Sequence, residues 1–473
     1  MSALVAGIDS STRSTKVEVR DLESGEVVGR GVAAHPATTP PRSEQDPAAW
    51  WAAFESAWQQ AGSPEVGAIS VAGQQHGMVA LDQLGDVIRP AKLWNDTEAA
   101  PDAGWLLKQL PGGQADWASA CGSVPVAAFT IAKLSWLHRS EPDNWERLAR
   151  IVLPHDWMTS RLTGSYTTDR GDASGTGYWS AATGEYSWEL LALIDRERDW
   201  SNVVPTVLGP LQPAGIWNGA IVGPGTGDNM AAALGLGLQR GDVVMSVGTS
   251  GVVYTVAAAP TADPSGAVCG FADANNGFLP LVCMLNATKV TETVAALLGV
   301  DTAGFEALAL AAPRGAGGVT MLAYLDGERT PNRPKATGWL SGLRTDATRE
   351  QFAGAAVEGV VCGLLDGLDA LRGQVADLHR VIMVGGGARS FAYRLALADL
   401  CDLPVVVAAT DEAVAAGACV QAAAVLQQAD PGAVAQRWGL GVTGAALERS
   451  RGWSADATAA VRSRHADLRD RSA

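Results

Sequence analysis

The sequence predicts an α/β protein of two domains, and three observations support that fold class. At 473 residues the chain is too long for a single hydrophobic core. Apolar runs and amphipathic segments alternate along it, which favours a parallel or mixed sheet covered by helices. Two similar strand–turn–strand patterns, Val5–Val19 and Met245–Tyr254, lie about half the chain apart. This repetition indicates a duplicated fold with a cleft between its halves.

The first half begins with patterns typical of short strands. Leu4–Ile8 is an apolar run, and Lys16–Arg20 alternates polar and apolar residues as a half-buried strand does. Ser43–Gln59 has helical periodicity, with Asp46 as the expected N-cap and Pro47 at the first helical position. The other strands predicted in this half are Ala68–Val71 and Ile151–Leu153.

The second half restarts with a predicted hairpin at Asp242–Val256. The elements predicted after it are a helix at Phe352–Leu371, a strand at Arg380–Val384, a helix at Ser390–Leu400, a strand at Pro404–Val407 and a helix at Asp411–Leu426. The glycine-rich segment Gly237–Asp242 separates the halves, so we expect domains at 1–240 and 241–473. The tail after about Ala429 is weakly periodic, and we expect it to be peripheral.

Composition limits the classes of partner and compartment. A formal net charge of −15 argues against nucleic-acid binding. The six cysteines show no Cys-x-x-Cys spacing, which predicts buried thiols in a reducing cytoplasm. The N-terminus lacks a basic region followed by an apolar stretch, and no apolar window is long enough to span a bilayer. We therefore expect a cytoplasmic protein without a membrane partner.

Two turns rich in small residues are candidates for binding phosphate, because consecutive backbone N–H groups can point into such turns. They are Ser10–Ser14 and Gly248–Gly251. Either one alone is typical of a simple hairpin, but the pair indicates a nucleotide phosphate held between two halves. Asp9, which ends the first strand, can hold Mg²⁺ or cap the turn. Gly385–Gly387, followed by Ser390 and a helix, is similar to a nucleoside-binding turn.

The segment Gly225–Asn229, with the sequence GTGDN, contains the candidate catalytic group. Asp228 opens a helix-like segment, so its carboxylate can cap that helix or take a proton from a substrate hydroxyl. A helix N-terminus favours the ionised form. We therefore expect Asp228 to act as a base through its position and not through a raised pKa. The two phosphate turns favour the catalytic interpretation.

Eight motifs occur in the order found in the FGGY carbohydrate kinases: Asp9–Lys16, Gln74–Gly77, Leu93–Asp96, Phe129–Leu137, Gly227–Asn229, Ser246–Gly251, Gly327–Pro331 and Val384–Ala388. The sequence resembles this family over about residues 3–430. The resemblance implies two ribonuclease-H-like domains of the actin/hexokinase/Hsp70 type, with a sugar and MgATP meeting in the cleft between them. Ser70–Asp82, Leu93–Asp96 and Gly327–Pro331 are most similar to family members that phosphorylate D-xylulose.

The resemblance also implies roles for individual residues. Asp228 matches the catalytic base. The residues matched to the sugar site are Gln75, His76, Trp94, Asp228 and Asn229. The residues matched to the ATP site are Ser11, Thr12, Gly248, Thr249, Gly386, Gly387 and Ser390. Asp9 and Asp228 match the carboxylates near Mg²⁺. Two residues depart from the family pattern, since Ser11 replaces the usual Gly and Glu98 stands where many relatives have Arg.

Other functions stay open on the residues alone. A kinase for ribulose or glycerol would differ only in the shape of its pocket. An actin-like or Hsp70-like ATPase would share the hairpins, but it would not need Gln74–Gly77 or the Asp228-Asn229 pair. A sugar-binding regulator without catalysis should lack the base or a phosphate turn. The sequence leaves open whether the chain forms a homodimer.

Overall fold

The structure is a computed structural model that describes residues 3–410, 412–441 and 444–472. The chain forms two compact units. Unit 1 comprises Met1–Leu238, Ala257–Leu279 and Glu412–Gly441, and unit 2 comprises Gln239–Val256, Pro280–Asp411 and Val442–Ala473.

The strands are β1 (Leu4–Ser10), β2 (Ser14–Asp21), β3 (Val27–Ala34), β4 (Glu44–Gln45), β5 (Ala68–Gly73), β6 (Val79–Leu81), β7 (Ala91–Lys92), β8 (Arg150–Val152), β9 (Thr167–Asp169), β10 (Trp179–Ser180), β11 (Glu185–Tyr186), β12 (Thr206–Leu208), β13 (Gly215–Trp217), β14 (Ala220–Val222), β15 (Thr226–Gly227), β16 (Asp242–Val247), β17 (Gly251–Thr255), β18 (Cys269–Ala272), β19 (Phe278–Met284), β20 (Thr320–Leu322), β21 (Trp339–Ser341), β22 (Arg380–Val384) and β23 (Val405–Val407).

The α-helices are α1 (Pro47–Gln60), α2 (Ala100–Leu106), α3 (Gln114–Cys121), α4 (Thr130–Ser140), α5 (Pro142–Arg147), α6 (Pro154–Thr163), α7 (Arg170–Ala173), α8 (Trp188–Ala192), α9 (Asp228–Gly235), α10 (Thr288–Leu297), α11 (Thr302–Ala311), α12 (Arg349–Arg372), α13 (Phe391–Leu400), α14 (Ala413–Gln427), α15 (Pro431–Arg437) and α16 (Ala455–Arg471). Short 3₁₀ turns lie at Trp200–Asn202, Ala316–Gly318 and Gly386–Arg389.

The main sheet of unit 1 has the strand order β13-β14-β5-β1-β2-β3, and β15 also pairs with β5. β1 and β2 form the predicted antiparallel hairpin, in which Asp9 lies opposite Lys16. β1, β14 and β15 each run parallel to β5. Because parallel strands end at the same edge of a sheet, the residues after β1, β5 and β15 are brought close together.

The sheet of unit 2 includes the strand order β19-β17-β16-β22-β23. β16 and β17 form the second predicted hairpin. β16 and β22 are parallel, as are β22 and β23. The turns that follow β16 and β22 therefore lie at one edge of this sheet, and they contain the predicted phosphate and nucleoside turns.

Helix α14 packs within unit 1, although the sequence pattern assigned it to the second half. It lies against α9, β1 and β5. Glycines permit this close approach: a Cβ atom added at Gly417 would lie 1.8 Å from the Ala231 carbonyl oxygen, and one at Gly235 would lie 1.9 Å from that of Ala413. The compact units therefore differ from the predicted division after residue 240 at 257–279 and 412–441. As a statement about domains, that division stays a prediction.

Two further expectations differ from the structure in detail. The predicted helix at Ser43–Gln59 begins only at Pro47, where Asp46 caps it by accepting from the Ala48 amide at 2.9 Å. The preceding residues form β4, which pairs with β7.

The C-terminal tail is more ordered than its weak periodicity suggested. Helix α16 buries Leu468 against Leu322 and Tyr324 of unit 2.

Candidate active site and family

Asp9 is the next-to-last residue of β1, and its carboxylate is buried. The Ser11 hydroxyl donates to Oδ1 of Asp9, and Lys16 Nζ lies 3.7 Å from Oδ2. Lys16 also donates to Glu412 at 2.6 Å, so it serves two carboxylates. Burial raises the pKa of Asp9 to about 6, although Ser11 and Lys16 act in the opposite direction. Asp9 is therefore a carboxylate at which added positive charge would be stabilising.

Thr12, which was assigned to the ATP site, contacts Trp94, which was assigned to the sugar site. Its hydroxyl donates to Gln74 Oε1 at 3.1 Å and accepts from Trp94 Nε1 at 2.9 Å. Trp94 is 37% exposed, so its indole lies over the turn and remains accessible to solvent. The predicted sugar-binding tryptophan and the predicted phosphate-binding threonine are thus in direct contact.

The ends of β5 and β15 bring Gln75 and Asn229 together. Asn229 Nδ2 donates to Gln75 Oε1 at 2.9 Å and to Asp228 Oδ1 at 2.9 Å. A Cβ atom at Gly227 would lie 2.7 Å from the Gln75 side chain, so a larger residue there would displace Gln75 from this position. The buried Nε2 atoms of Gln74 and Gln75 have no hydrogen-bond partner among the described residues. Such orphaned donors suit a ligand that carries hydroxyl oxygens.

Asp228 is the first residue of α9, and Gly227 is the N-cap. The capping alternative is therefore wrong, because the Asp228 side chain does not occupy the cap position. Burial raises the pKa of Asp228 to about 7, with further contributions from the negative charges of Asp9 and Asp172. The expectation of an unraised pKa is also wrong, since burial and two carboxylates outweigh the backbone N–H groups at the helix start.

His76 has a left-handed backbone conformation, with φ of 64°. Its ring lies 5.0 Å from the Phe129 ring and 5.4 Å from the Phe271 ring, measured between centroids. Nδ1 lies 2.8 Å from the carbonyl oxygen of Gly175. Because a carbonyl oxygen only accepts, Nδ1 carries a proton, and in a neutral ring Nε2 is then the acceptor.

Helix α4 holds the backbone of His76 in place. Thr130 Oγ1 and Lys133 Nζ both donate to the His76 carbonyl oxygen, at 3.3 Å and 3.0 Å, and Lys133 also donates to Ala128 O. Lys133 is fully buried, and burial lowers its pKa to about 7. Both of these acceptors are backbone carbonyl groups, so Lys133 supports the local fold around His76.

A buried histidine and its carboxylates were missed by the sequence analysis. His155 Nδ1 lies 2.8 Å from Asp172 Oδ2, and Nε2 lies 3.1 Å from Asp156 Oδ1. Burial lowers the pKa of His155, but the surrounding carboxylates raise it to about 9 overall. Its ring packs beneath Gly225, where a Cβ atom would lie 2.4 Å away. The signal was the His155-Asp156 pair at the start of a helix, directly after a predicted strand.

In unit 2, the predicted phosphate turn and nucleoside turn are neighbours. A Cβ atom at Gly387 would lie 2.5 Å from Cγ1 of Val247, the residue before Gly248. Gly385 has φ of 87°, a conformation that favours glycine. Ser390 is the N-cap of α13, and its hydroxyl donates to Glu306 at 2.6 Å. Ser390 therefore has a structural contact in addition to its predicted role.

Three carboxylates elsewhere in unit 1 resemble a metal site, but a lysine lies at their centre. Lys92 Nζ is 2.9 Å from Glu44, 3.1 Å from Asp96 and 2.6 Å from Glu98. Arg42 also pairs with Glu98, at 3.2 Å. These ion pairs explain how a glutamate is accommodated at position 98, and they leave Asp9 and Asp228 as the predicted metal carboxylates.

The predicted site residues of unit 1 are Asp9, Ser11, Thr12, Gln75, His76, Trp94, Asp228 and Asn229, and those of unit 2 are Gly248, Thr249, Gly386, Gly387 and Ser390. Direct contacts join Ser11 to Asp9, Trp94 to Thr12, and Asn229 to both Gln75 and Asp228. The contacts of His76 described above are to residues outside the predicted set.

Residues 4–235 match the N-terminal domain of the FGGY family of carbohydrate kinases, and residues 243–426 match its C-terminal domain. The chain belongs to the FGGY family. The predicted fold class, α/β with two ribonuclease-H-like domains of the actin/hexokinase/Hsp70 type, is confirmed by these matches.

This FGGY chain is similar to several xylulose kinases. It is 45% identical to xylulose kinase of Streptomyces rubiginosus over 447 residues, covering 92% of this chain and 90% of that protein. The same values hold for xylulose kinase of Streptomyces coelicolor. A crystal structure of xylulose kinase from Bifidobacterium adolescentis has 40% identity and a TM-score of 0.88, and the match covers 99% of each chain.

Among the residues that the structure describes, no single helix of this FGGY chain is long and apolar enough to cross a membrane. One bent pair of helices, α10 and α11, meets the criteria of length and composition when the two are taken together.

Proposed function

We propose that the protein transfers the γ-phosphoryl group of MgATP to O5 of D-xylulose, with Asp228 as the general base. The observation that carries the proposal is the 45% identity to xylulose kinases over 92% of the chain. The reaction forms a bond between O5 and the γ-phosphorus of ATP. It breaks the bond between the γ-phosphorus and the oxygen that bridges to the β-phosphate. The O5 proton passes to Asp228, and ADP leaves.

The sugar is held by Gln75, His76, Trp94 and Asn229 in this proposal. The orphaned Nε2 atom of Gln75 can donate to a sugar oxygen, and Nε2 of neutral His76 can accept from a sugar hydroxyl. The exposed indole of Trp94 offers an apolar face to the carbon chain. Donors, an acceptor and an aromatic face together suit a small polyol.

Asp228 is suited to take a proton near neutral pH. Its pKa of about 7 lies near the operating pH, where a general base is most effective. Asn229 fixes one of its oxygens through a hydrogen bond of 2.9 Å. Phosphoryl transfer depends mainly on alignment and on stabilisation of charge, so a held carboxylate is the feature required of the chain.

The nucleotide is bound, in this proposal, by Ser11, Thr12, Gly248, Thr249, Gly386, Gly387 and Ser390. Small residues allow backbone N–H groups to approach phosphates and the nucleoside. Ser390 contributes through the start of α13, which it caps. Its own hydroxyl proton is directed to Glu306.

Mg²⁺ fits the donors of this site. Asp9 and Asp228 are oxygen ligands of the type that Mg²⁺ prefers, and each has a pKa raised by burial. A cation near both would relieve the repulsion that Asp9 exerts on Asp228. When bound, Mg²⁺ supplies positive charge that neutralises the phosphate oxygens of ATP.

The proposal also assigns the protein to the cytoplasm, with sugar and ATP as its small-molecule partners. All six cysteines are free thiols, in agreement with a reducing compartment. A measurement of molecular mass in solution would determine whether the protein forms a homodimer.

A coupled ADP-release assay tests the substrate. The panel contains D-xylulose, D-ribulose, L-ribulose, L-xylulose, glycerol and a reaction without sugar. We expect D-xylulose to give the highest kcat/KM. A value about tenfold higher for glycerol or L-ribulose would contradict the substrate assignment, and ADP release independent of sugar would favour an ATPase.

A further inference from the structure

Glu328, in the Gly327–Pro331 motif, has a buried carboxylate that the proposed reaction does not use. The residue is only 3% exposed. Oε1 accepts from the backbone amides of Leu285 at 2.6 Å and Arg329 at 2.7 Å. Oε2 accepts from Asn286 Nδ2 at 2.9 Å. An ionised carboxylate only accepts, so it can satisfy all three donors at once.

The Asn286 side chain is fixed from two directions. Its Nδ2 atom donates to the carbonyl oxygen of Gly327 at 2.7 Å in addition to Glu328. A flipped amide would place its oxygen against both acceptors, so only one orientation is compatible. Glu328 therefore anchors the backbone at Leu285 and the side chain at Asn286, and it sets the course of the chain into helix α10.

The two residues that follow contact the predicted phosphate turn. The Thr288 amide donates to the Gly248 carbonyl oxygen at 2.8 Å, and the Ala287 amide donates to that of Thr249 at 3.2 Å. The carbonyl groups of Gly248 and Thr249 are thus directed toward the segment that Glu328 anchors.

The direction of these carbonyl groups decides where the amides of the turn point. In a planar trans peptide, the C=O of one residue and the N–H of the next point in opposite directions. The N–H groups of Thr249 and Ser250 therefore point away from Ala287 and Thr288. The Gly248 amide is occupied within the turn, since it donates to the Ser250 carbonyl oxygen at 3.1 Å.

We propose that Glu328 is a positioning residue for the nucleotide phosphates: through Leu285–Thr288 it directs the N–H groups of Thr249 and Ser250 at the anionic ligand. The inference rests on the proposed function, because it takes Gly248–Thr249 as a phosphate turn. Glu328 touches neither substrate in this account. Its loss should therefore weaken binding of nucleotide and leave the sugar site intact.

Glu328→Gln is the variant of choice, because the new amide group presents a donor to at least one of the three existing donors. Asp242→Asn is the matched control. Asp242 is also a buried carboxylate of unit 2 that accepts from the Gln239 amide at 3.0 Å and pairs with Arg380. It is the first residue of β16, whereas the phosphate turn follows the last residue of that strand. Thermal melting of both variants establishes that they are folded.

The measurements are the Kd of ADP by calorimetry and the KM values of ATP and pentulose. We expect Glu328→Gln to raise the Kd of ADP by about tenfold, the loss that accompanies one charge-assisted hydrogen bond. The KM of the sugar should change less than about twofold, and Asp242→Asn should leave both constants near those of the wild type. If Glu328→Gln does not fold, Asn286→Ala is measured by the same criteria.

A rise in the Kd of ADP below about threefold, or an equal loss of affinity for sugar and nucleotide, would overturn the proposal, and any larger selective rise supports it. The Kd of ADP is independent of the choice of sugar. A wild-type protein that binds ADP but phosphorylates no pentulose would contradict the proposed function while leaving this comparison valid. A wild-type protein that binds no adenine nucleotide would contradict both.

Discussion

The side-chain amide of Asn229 donates a hydrogen bond of 2.9 Å to Oδ1 of its neighbour, Asp228. The same nitrogen donates to Gln75 Oε1 at 2.9 Å, so Asp228 is linked to the end of a second strand. Burial, the largest effect, and the negative charges of Asp9 and Asp172 raise the pKa of Asp228, whereas hydrogen bonds from the backbone amides of Asn229 and Asp228 lower it. This balance leaves Asp228 with a pKa of about 7, close to the value that suits a general base.

Asp228→Asn should lose most of the kinase turnover while binding of nucleotide persists. The amide keeps the size of the side chain but cannot take the O5 proton. A positioned base contributes roughly 10²–10⁴-fold to the rate, which sets the expected loss in kcat. Glu18→Gln is the control, because Glu18 is a buried carboxylate of the same unit that pairs with Arg20 and Arg30. Near-normal turnover of folded Asp228→Asn would exclude Asp228 as the base.

The activity should rise with pH through the pKa of Asp228. A base must be ionised, and a raised pKa means that Asp228 is protonated below about pH 7. We therefore expect kcat/KM to fall as the pH decreases through about 7, and more steeply near 6 if Asp9 must also be ionised. The measurement is a profile from about pH 5.5 to about pH 8.5 in buffers of constant ionic strength. A flat profile below neutrality would contradict the raised pKa.

His76→Ala should impair the use of sugar and spare that of ATP. The ring is held by Gly175 and packs against Phe129 and Phe271, and its removal deletes an acceptor for a sugar hydroxyl. We expect a higher KM for the pentulose and a lower kcat/KM, with the KM of ATP unchanged. Steady-state kinetics with each substrate varied in turn measure this. Reduced affinity for ATP with intact sugar kinetics would place His76 outside the sugar site.

Lys133→Met should act in the same direction as His76→Ala, and it should also reduce stability. Methionine fills the buried space, but it leaves the carbonyl groups of His76 and Ala128 without the Lys133 donor. Each hydrogen bond lost costs about 0.5–1.5 kcal/mol, so we expect a lower melting temperature and a higher KM for the sugar.

Lys108→Met provides the control for the lysine variant, because Lys108 is exposed. If Lys133→Met lowered the melting temperature without changing the KM of the sugar, the lysine would support the fold alone and would not position His76.

The predictions that succeeded from the sequence depend on residues close together in the chain. Both hairpins follow from alternation and small residues in their turns, as observed in β1–β2 and β16–β17. The cap of α1 follows from Asp46 and Pro47. The order of the FGGY motifs is a property of the sequence itself, and the family assignment agrees with it.

The features that failed or were missed depend on groups distant in the chain. The pKa of Asp228 is raised by burial and by the charges of Asp9 and Asp172. A local sequence pattern cannot predict the combined effect of groups that are distant in the chain. The left-handed conformation of His76 is held by donors from α4, more than fifty residues away. Helix α14 joins unit 1 because glycines let its backbone contact α9. Local propensity determined the elements and their motifs, whereas burial and long-range packing, which arise only when the chain is folded, decided the protonation and positions of the side chains in the site.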